Sequence, residues 1–195
     1  MYEKVIESMI EAKNSSIVTS IKKNTFSVPF VTPVSQAGNQ ESRVHRVNIR
    51  WMVRRDLTDV LKIEQKCFEY PWSEEDFMTC LYQRNCVGMV AEHQGKIVGF
   101  MVYELGRHAI QLLNFGINIT CRHQKIGTRM IKKLIGKLRN DRRTRISCAV
   151  RERNLPAQLF FRELGFRAVS VARNYYEETQ EDAYLMQYRL SSFRS

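Results

Sequence analysis

From residue 47 onward, apolar and polar positions follow two alternating periods, and each switch marks a new element. Residues 49–53 fit a short strand, and Leu57, Val60, Leu61, Cys67 and Phe68 then recur at helical spacing. Tyr70-Pro71-Trp72 interrupts that helix, because a residue before proline is driven out of the helical region. Ser73 is placed to cap a second helix, with Glu74, Glu75 and Asp76 in the first turn, where the helix dipole favours acids. Phe77 and Leu81 give this helix its buried side. Two apolar runs, 86–91 and 97–105, flank Gly95 and predict a β-hairpin. A third run, 110–119, predicts the next strand. Ile126, Met130, Leu134 and Leu138, with Ile131 and Ile135 beside them, predict an amphipathic helix. Residues 145–150 read as a buried strand. Asn154 then caps a helix that tolerates Pro156 in its first turn, and Gly165 stands just past its end. Strands over 166–171 and 183–190 complete the series. The order β-α-α-β-β-β-α-β-α-β-β predicts an α/β (α+β) fold, with helices flanking a mixed, mostly antiparallel sheet.

Residues 1–46 break this rhythm. Val5, Ile6, Met9 and Ile10 predict a short helix; a stretch rich in Ser, Thr and Asn follows, with Pro29 and Pro33 and no sustained period. This N-terminal extension reads as a loose arm. The division is therefore 1–46 as extension and 47–191 as one domain, and 195 residues with 44% hydrophobic content suffice for one core.

Composition narrows the chemistry. The five cysteines are odd in number, lack a C-x-x-C and lie mostly in apolar runs, which points to a reducing, cytoplasmic setting. The four histidines show no metal-ligand spacing, so no metal is expected. No run approaches the ~18 apolar residues that span a bilayer, and the N-terminus lacks the apolar core of a signal peptide; no membrane partner is expected. Lys and Arg number 31 against 20 Asp and Glu, a net charge of +11. Residues 122–145 concentrate this excess, with Asp141 as their only acid. Such a stretch is either a solvated helix face or a surface that meets phosphates.

The most informative unit spans residues 112–138, where a strand runs into a basic loop that opens an amphipathic helix. The free N–H groups of a helix's first turn form an anion site, although an ordinary strand-to-helix connection has the same outline. The loop Arg122-His123-Gln124-Lys125-Ile126-Gly127 resembles the pyrophosphate loop of the GNAT N-acetyltransferases, (Q or R)-x-x-G-x-(G or A), with Lys125 where the family has glycine. Residues 154–166, NLPAQLFFRELGF, are similar to the family's N-x-x-A-x-x-(L or F)-(Y or F)-x-x-x-G-F helix. Pro71-Trp72-Ser73-Glu74 resembles the bacterial ribosomal-protein-alanine acetyltransferases of the RimI type. So does Arg173-Asn174-Tyr175-Tyr176 followed by Glu181-Asp182-Ala183 and Met186. Four segments in the same order are far more specific than any one.

The resemblance implies a GNAT fold and acetyl-CoA as acetyl donor. It also implies a protein N-terminal α-amine as acceptor, on a ribosomal protein in the RimI branch. Phe115, Gly116 and Ile117 match the strand that lies along the pantetheine arm. Arg122 matches the head of the pyrophosphate loop, and His123, Gln124, Lys125, Ile126, Gly127 and Thr128 match its cradle. Asn154 matches an asparagine that contacts the cofactor, and it serves equally as a plain N-cap. Tyr70, Pro71, Trp72, Tyr175 and Tyr176 match two loops that grip the peptide N-terminus; they also suit a core or its rim.

Two positions depart from the RimI pattern. Ala149 stands where that type has a glutamate base, and Phe161 where it has a tyrosine acid. Neither side chain moves a proton, so the sequence assigns no catalytic residue. General acid–base help is typically worth ~10²–10⁴-fold in rate. The alternative to a slow transferase is a catalytically impaired relative that binds CoA or a peptide. An RNA-bound role, raised by the basic stretch, has no RNA-binding motif behind it, and nucleic acid is not required.

Overall fold

The computed structural model describes residues 47–139 and 142–190. The helix and arm expected over 1–46, and residue 191 at the end of the expected domain, lie outside them.

The elements follow the expected order. They are β1 (Asn48–Trp51), α1 (Leu57–Cys67), α2 (Glu74–Leu81), β2 (Cys86–His93), β3 (Lys96–Leu105), β4 (Ala109–Ile117), α3 (Ile126–Ile135), β5 (Arg145–Arg151), α4 (Leu155–Glu163), β6 (Arg167–Tyr176) and β7 (Glu181–Arg189). The strands form one seven-stranded sheet in the order β1-β2-β3-β4-β5-β7-β6. All neighbours pair antiparallel except β4 and β5.

Local chemistry fixes these elements. Gln94 (φ 50°) and Gly95 (φ 74°) make the two-residue turn between β2 and β3, the left-handed pair that a twisted hairpin needs. Ser73 accepts from the Asp76 N–H at 3.1 Å while Asp76 accepts from the Ser73 N–H at 2.8 Å, a reciprocal cap for α2. Gly165 (φ 90°) follows the end of α4.

Helices α1 and α2 cover one face of the sheet, around Val60, Phe77, Val90 and Phe100. On the other face Met130, Ile131, Leu134 and Phe161 from α3 and α4 pack on Met101, Leu112, Cys148 and Val150.

Several expected boundaries shift, among them β1, which spans Asn48–Trp51 rather than 49–53. Strand β4 stops at Ile117 rather than 119, because Asn118 turns the chain and accepts from the Thr120 N–H at 3.3 Å. Helix α3 stops at Ile135, ahead of Gly136, although Leu138 still joins the core. Tyr175 and Tyr176 end strand β6 rather than sit in a loop; the strand bulges after Ala172, with Asn174 at φ 47°.

The basic stretch resolves into specific contacts. Arg129 and Lys133 donate to the Val47 and Ile49 carbonyls at 3.1 and 2.6 Å, and Lys137 lies 4.7 Å over the Trp51 ring. The cations of α3 and of the turn after it thus cover the outer edge of β1, where unpaired carbonyls would otherwise invite another strand.

Candidate active site

Among the described residues, the only parallel pairing in the sheet is also the shortest ladder. The β4–β5 ladder runs from Ala109↔Arg145 to Gln111↔Ser147, yet β4 continues to Ile117 and β5 to Arg151. Beyond Gln111 and Ser147 the two strands no longer pair, and the unpaired stretches 112–117 and 148–151 frame a slot in the ladder. A bulge sits at its start: Tyr103 pairs Leu112 and Val102 pairs Asn114, so Leu113 is the extra residue. Leu113 and Asn114 both turn toward α1, whereas Leu112 and Phe115 face α3 and α4.

On the α3 face, the slot ends at the expected anion loop. A 3-10 turn, Ile119–Cys121, leads into it, and the first helical bond of α3 runs from the Arg129 N–H to the Lys125 carbonyl. The amides of Ile126, Gly127 and Thr128 therefore precede any in-helix acceptor. His123 (φ 62°) and Lys125 (φ 60°) are both left-handed and exposed. Gln124 is exposed and donates to the Thr120 carbonyl at 3.3 Å. Arg122 turns inward: its Nε donates to the Ile117 carbonyl at 3.2 Å and its Nη2 to Cys67 Sγ at 3.3 Å. It braces the loop against β4 and α1. A Cβ on Gly127 would lie 3.2 Å from Phe115 and 3.3 Å from Phe160, so glycine lets α3 approach those rings. Gly116 has a similar packing reason, since its Cβ would meet Phe100 at 2.7 Å. Ile126 is buried in the core, and Asn154 caps α4 by accepting from the Ala157 N–H at 3.1 Å.

On the α1 face, tyrosines from two elements meet one cation, while the Trp72 side chain is buried against Phe77. Tyr70 and Trp72 come from the α1–α2 connection, with Pro71 exposed between them, and Tyr175 and Tyr176 come from the end of β6. Arg151, at the end of β5, joins the two sets. Its guanidinium carbon lies 3.8 Å from the Tyr176 ring centre and 5.6 Å from that of Tyr70. Nη1 bonds Glu181 Oε2 at 3.0 Å and Thr179 Oγ1 at 2.9 Å, while Nε and Nη2 are buried without a partner among the described residues.

A second polar group sits beneath Trp72. Glu64 is fully buried on α1, and its Oε1 accepts from the Trp72 N–H at 2.8 Å and from Asn114 Nδ2 at 3.1 Å. Burial pushes the Glu64 carboxyl up to about 7 against the pull of those two donors, and Asp76 adds repulsion. Sequence reading missed Glu64, Asn114 and Arg151. Each left a signal: a carboxylate on the apolar stripe Val60-Ile63-Glu64-Cys67, an amide inside an apolar run, and a cation extending a buried strand.

Ala149 and Phe161 lie on opposite faces. Ala149 packs with Tyr176, Ala183 and Leu185 on the aromatic side. Phe161 is fully buried on the other side, with ring centres 5.1 Å from Phe166 and 5.2 Å from Phe160. All five cysteines are free thiols. Among the described residues no cluster of His, Cys, Asp or Glu is suited to hold a metal, and no helix is long and apolar enough to cross a membrane.

The Acetyltransferase (GNAT) family profile matches residues 57–166. The chain is 28% identical over 133 residues to an Escherichia coli ribosomal protein bS18-alanine N-acetyltransferase, covering 67% of this chain and 89% of that protein. The fold is similar to a crystal structure of an E. coli ribosomal-protein-alanine N-acetyltransferase, with TM-score 0.68, 25% identity, and coverage of 74% of this chain and 94% of that one. It is also similar to Arabidopsis thaliana NAA60 in complex with acetyl-CoA, with TM-score 0.65, 18% identity, and coverage of 74% and 99%.

Proposed function

For this chain, which belongs to the acetyltransferase (GNAT) family, we propose that it moves the acetyl group of acetyl-CoA to the N-terminal α-amine of a protein. The observation that carries this reading is the end of the β4–β5 ladder at Gln111 and Ser147, with the first-turn amides of α3 on one face and the Arg151–tyrosine cluster on the other. Such an arrangement lets a long phosphorylated donor and a peptide approach one point from opposite sides. The E. coli relative's substrate, ribosomal protein bS18, makes a ribosomal protein the first acceptor to try. Five free thiols favour a reducing, cytoplasmic setting.

In this reading the amides of residues 126–128, with exposed His123 and Lys125, take the pyrophosphate. The backbone of residues 115–117 lines the pantetheine arm, and Tyr70, Trp72, Tyr175 and Tyr176 frame the amine. The donor supplies an activated thioester. The chain's contribution is alignment, which alone is worth several kcal/mol when reacting atoms are held in line. Proton handling falls outside Ala149 and Phe161. An α-amine of pKa ~8 is about one-tenth neutral at pH 7, and an alkyl thiolate of pKa ~8.5 leaves with little help. A slow transferase is the expected outcome.

A second reading is favoured by the same two positions: a protein that binds CoA or a peptide without turnover. Calorimetry with acetyl-CoA tests the part both readings share. Binding well below millimolar is expected; no binding at millimolar acetyl-CoA would remove both. We also propose that residues 47–191 form the catalytic unit and that 1–46 are an appendage to it.

A further inference from the structure

On the aromatic face one buried carboxylate has no part in the account above. Glu64 sits on the apolar stripe of α1, where a leucine would fill the space without the cost of burying a charge. Its Oε1 takes both available donors, and they come from different elements: the backbone of the α1–α2 connection at Trp72, and Asn114 on β4, the residue after the bulge. Oε2, Asn114 Oδ1 and Trp72 Nε1 stay buried with no partner among the described residues. A buried polar group held this way fixes direction more than it adds stability.

The other anchors of residues 70–72 do not do the same work. The Trp72 ring packs on Phe77 with centres 5.2 Å apart, and Ser73 belongs to the cap of α2. Those contacts hold the indole and the start of α2, and the Tyr70 ring meets Arg151 on β5 rather than β4. The Trp72 N–H is tied to the strand that lines the slot only through Glu64 and Asn114.

We propose that Glu64 is a positioning residue for the peptide substrate, latching the backbone of the 70–72 segment onto β4 so that Tyr70 keeps a fixed place beside Arg151 at the end of β5. This rests on the reading of residues 70–72 as part of the peptide site. Glu64 acts through the Trp72 backbone and the Asn114 side chain rather than on the reacting atoms.

The test compares Glu64→Gln with Glu64→Ala in the full chain. Glutamine keeps an acceptor oxygen at the same reach, so its peptide KM is expected within about threefold of wild type, a change too small to mark a lost contact. Alanine removes the acceptor and is expected to raise peptide KM about tenfold or more, the scale of one hydrogen bond to a charged group. Its kcat and acetyl-CoA Kd should stay near wild type. If Glu64→Ala does not fold, Glu64→Leu fills the stripe and takes its place.

A second readout needs no turnover. The chain has two tryptophans, so in a Trp51→Phe background Trp72 is the single indole. Acrylamide quenching of Trp72 is expected to rise in Glu64→Ala or Glu64→Leu and not in Glu64→Gln. Loss of the transferase reading would leave this result intact, which separates the two failures. Unchanged quenching in the folded alanine or leucine variant would overturn the latch. So would a fall in kcat of about a hundredfold in Glu64→Gln at unchanged peptide KM, the size of a lost general base, because Glu64 would then accept the proton itself.

Discussion

Lys125 stands at φ 60°, ψ 11°, the left-handed conformation that glycine supplies at the matching place in the family loop. A side chain there costs ~1–2 kcal/mol, partly offset by the freer unfolded chain that glycine brings. Lys125→Gly is therefore expected to stabilise the fold by about 1 kcal/mol in urea denaturation. A loss of stability would mean that the lysine side chain makes a compensating contact. Glu64 gives the second prediction at this scale. Its carboxyl holds a proton up to about 7 in the folded chain, above the ordinary 4.5. A raised folded value means that the folded state binds the proton more tightly, so this contribution is full below pH 4.5 and fades as pH rises through 7. Glu64→Gln cannot ionise. It is expected to match wild type near pH 4 and to gain stability above pH 7, on the order of 3 kcal/mol at most. A difference that does not change with pH would contradict this account of the burial.

At the scale of elements, Arg151 decides how the two aromatic sets meet. Its ion pair with Glu181 is almost fully buried, and its guanidinium stacks against rings from the α1–α2 connection and from β6. Arg151→Met would leave Glu181 without this partner, at a cost of about 3–5 kcal/mol. Peptide KM is expected to rise while acetyl-CoA affinity holds, since the cradle lies on the opposite face. Equal loss of both affinities would show that β5 has collapsed rather than lost one contact. Element order was legible in the sequence because strand and helix periods differ so plainly, and because Ser73, Asn154 and Gly165 punctuate the helices with unambiguous chemistry. The bulge at Leu113 was not legible: Leu112, Leu113 and Phe115 are all apolar, and nothing in such a run says which two neighbours share a face. The β6 bulge was hidden for a related reason, since its left-handed residue is Asn174 and not glycine.

Across the whole molecule, the proposed site depends on where β4 and β5 stop pairing, and no local pattern encodes that. The loop proposed as the cradle stands out by motif, but the inward turn of Arg122 depends on Cys67, which is 55 positions away in sequence. The proposed division at residue 47 is a claim at this scale. A chain beginning at Val44 is expected to melt cooperatively near the full-length temperature; a drop above about 6 °C, on the order of 2 kcal/mol for a domain of this size, would show that the extension belongs to the core. In the proposed function the slot aligns a thioester with a peptide amine even though Ala149 and Phe161 move no proton. The most direct test incubates the full chain with acetyl-CoA and a panel of peptides whose lysines are blocked, ribosomal-protein N-termini among them, and reads the products by mass spectrometry. Slow transfer of one acetyl group to the α-amine of a subset of peptides is the predicted result. Intact peptides throughout, from a folded protein with acetyl-CoA bound, would contradict it.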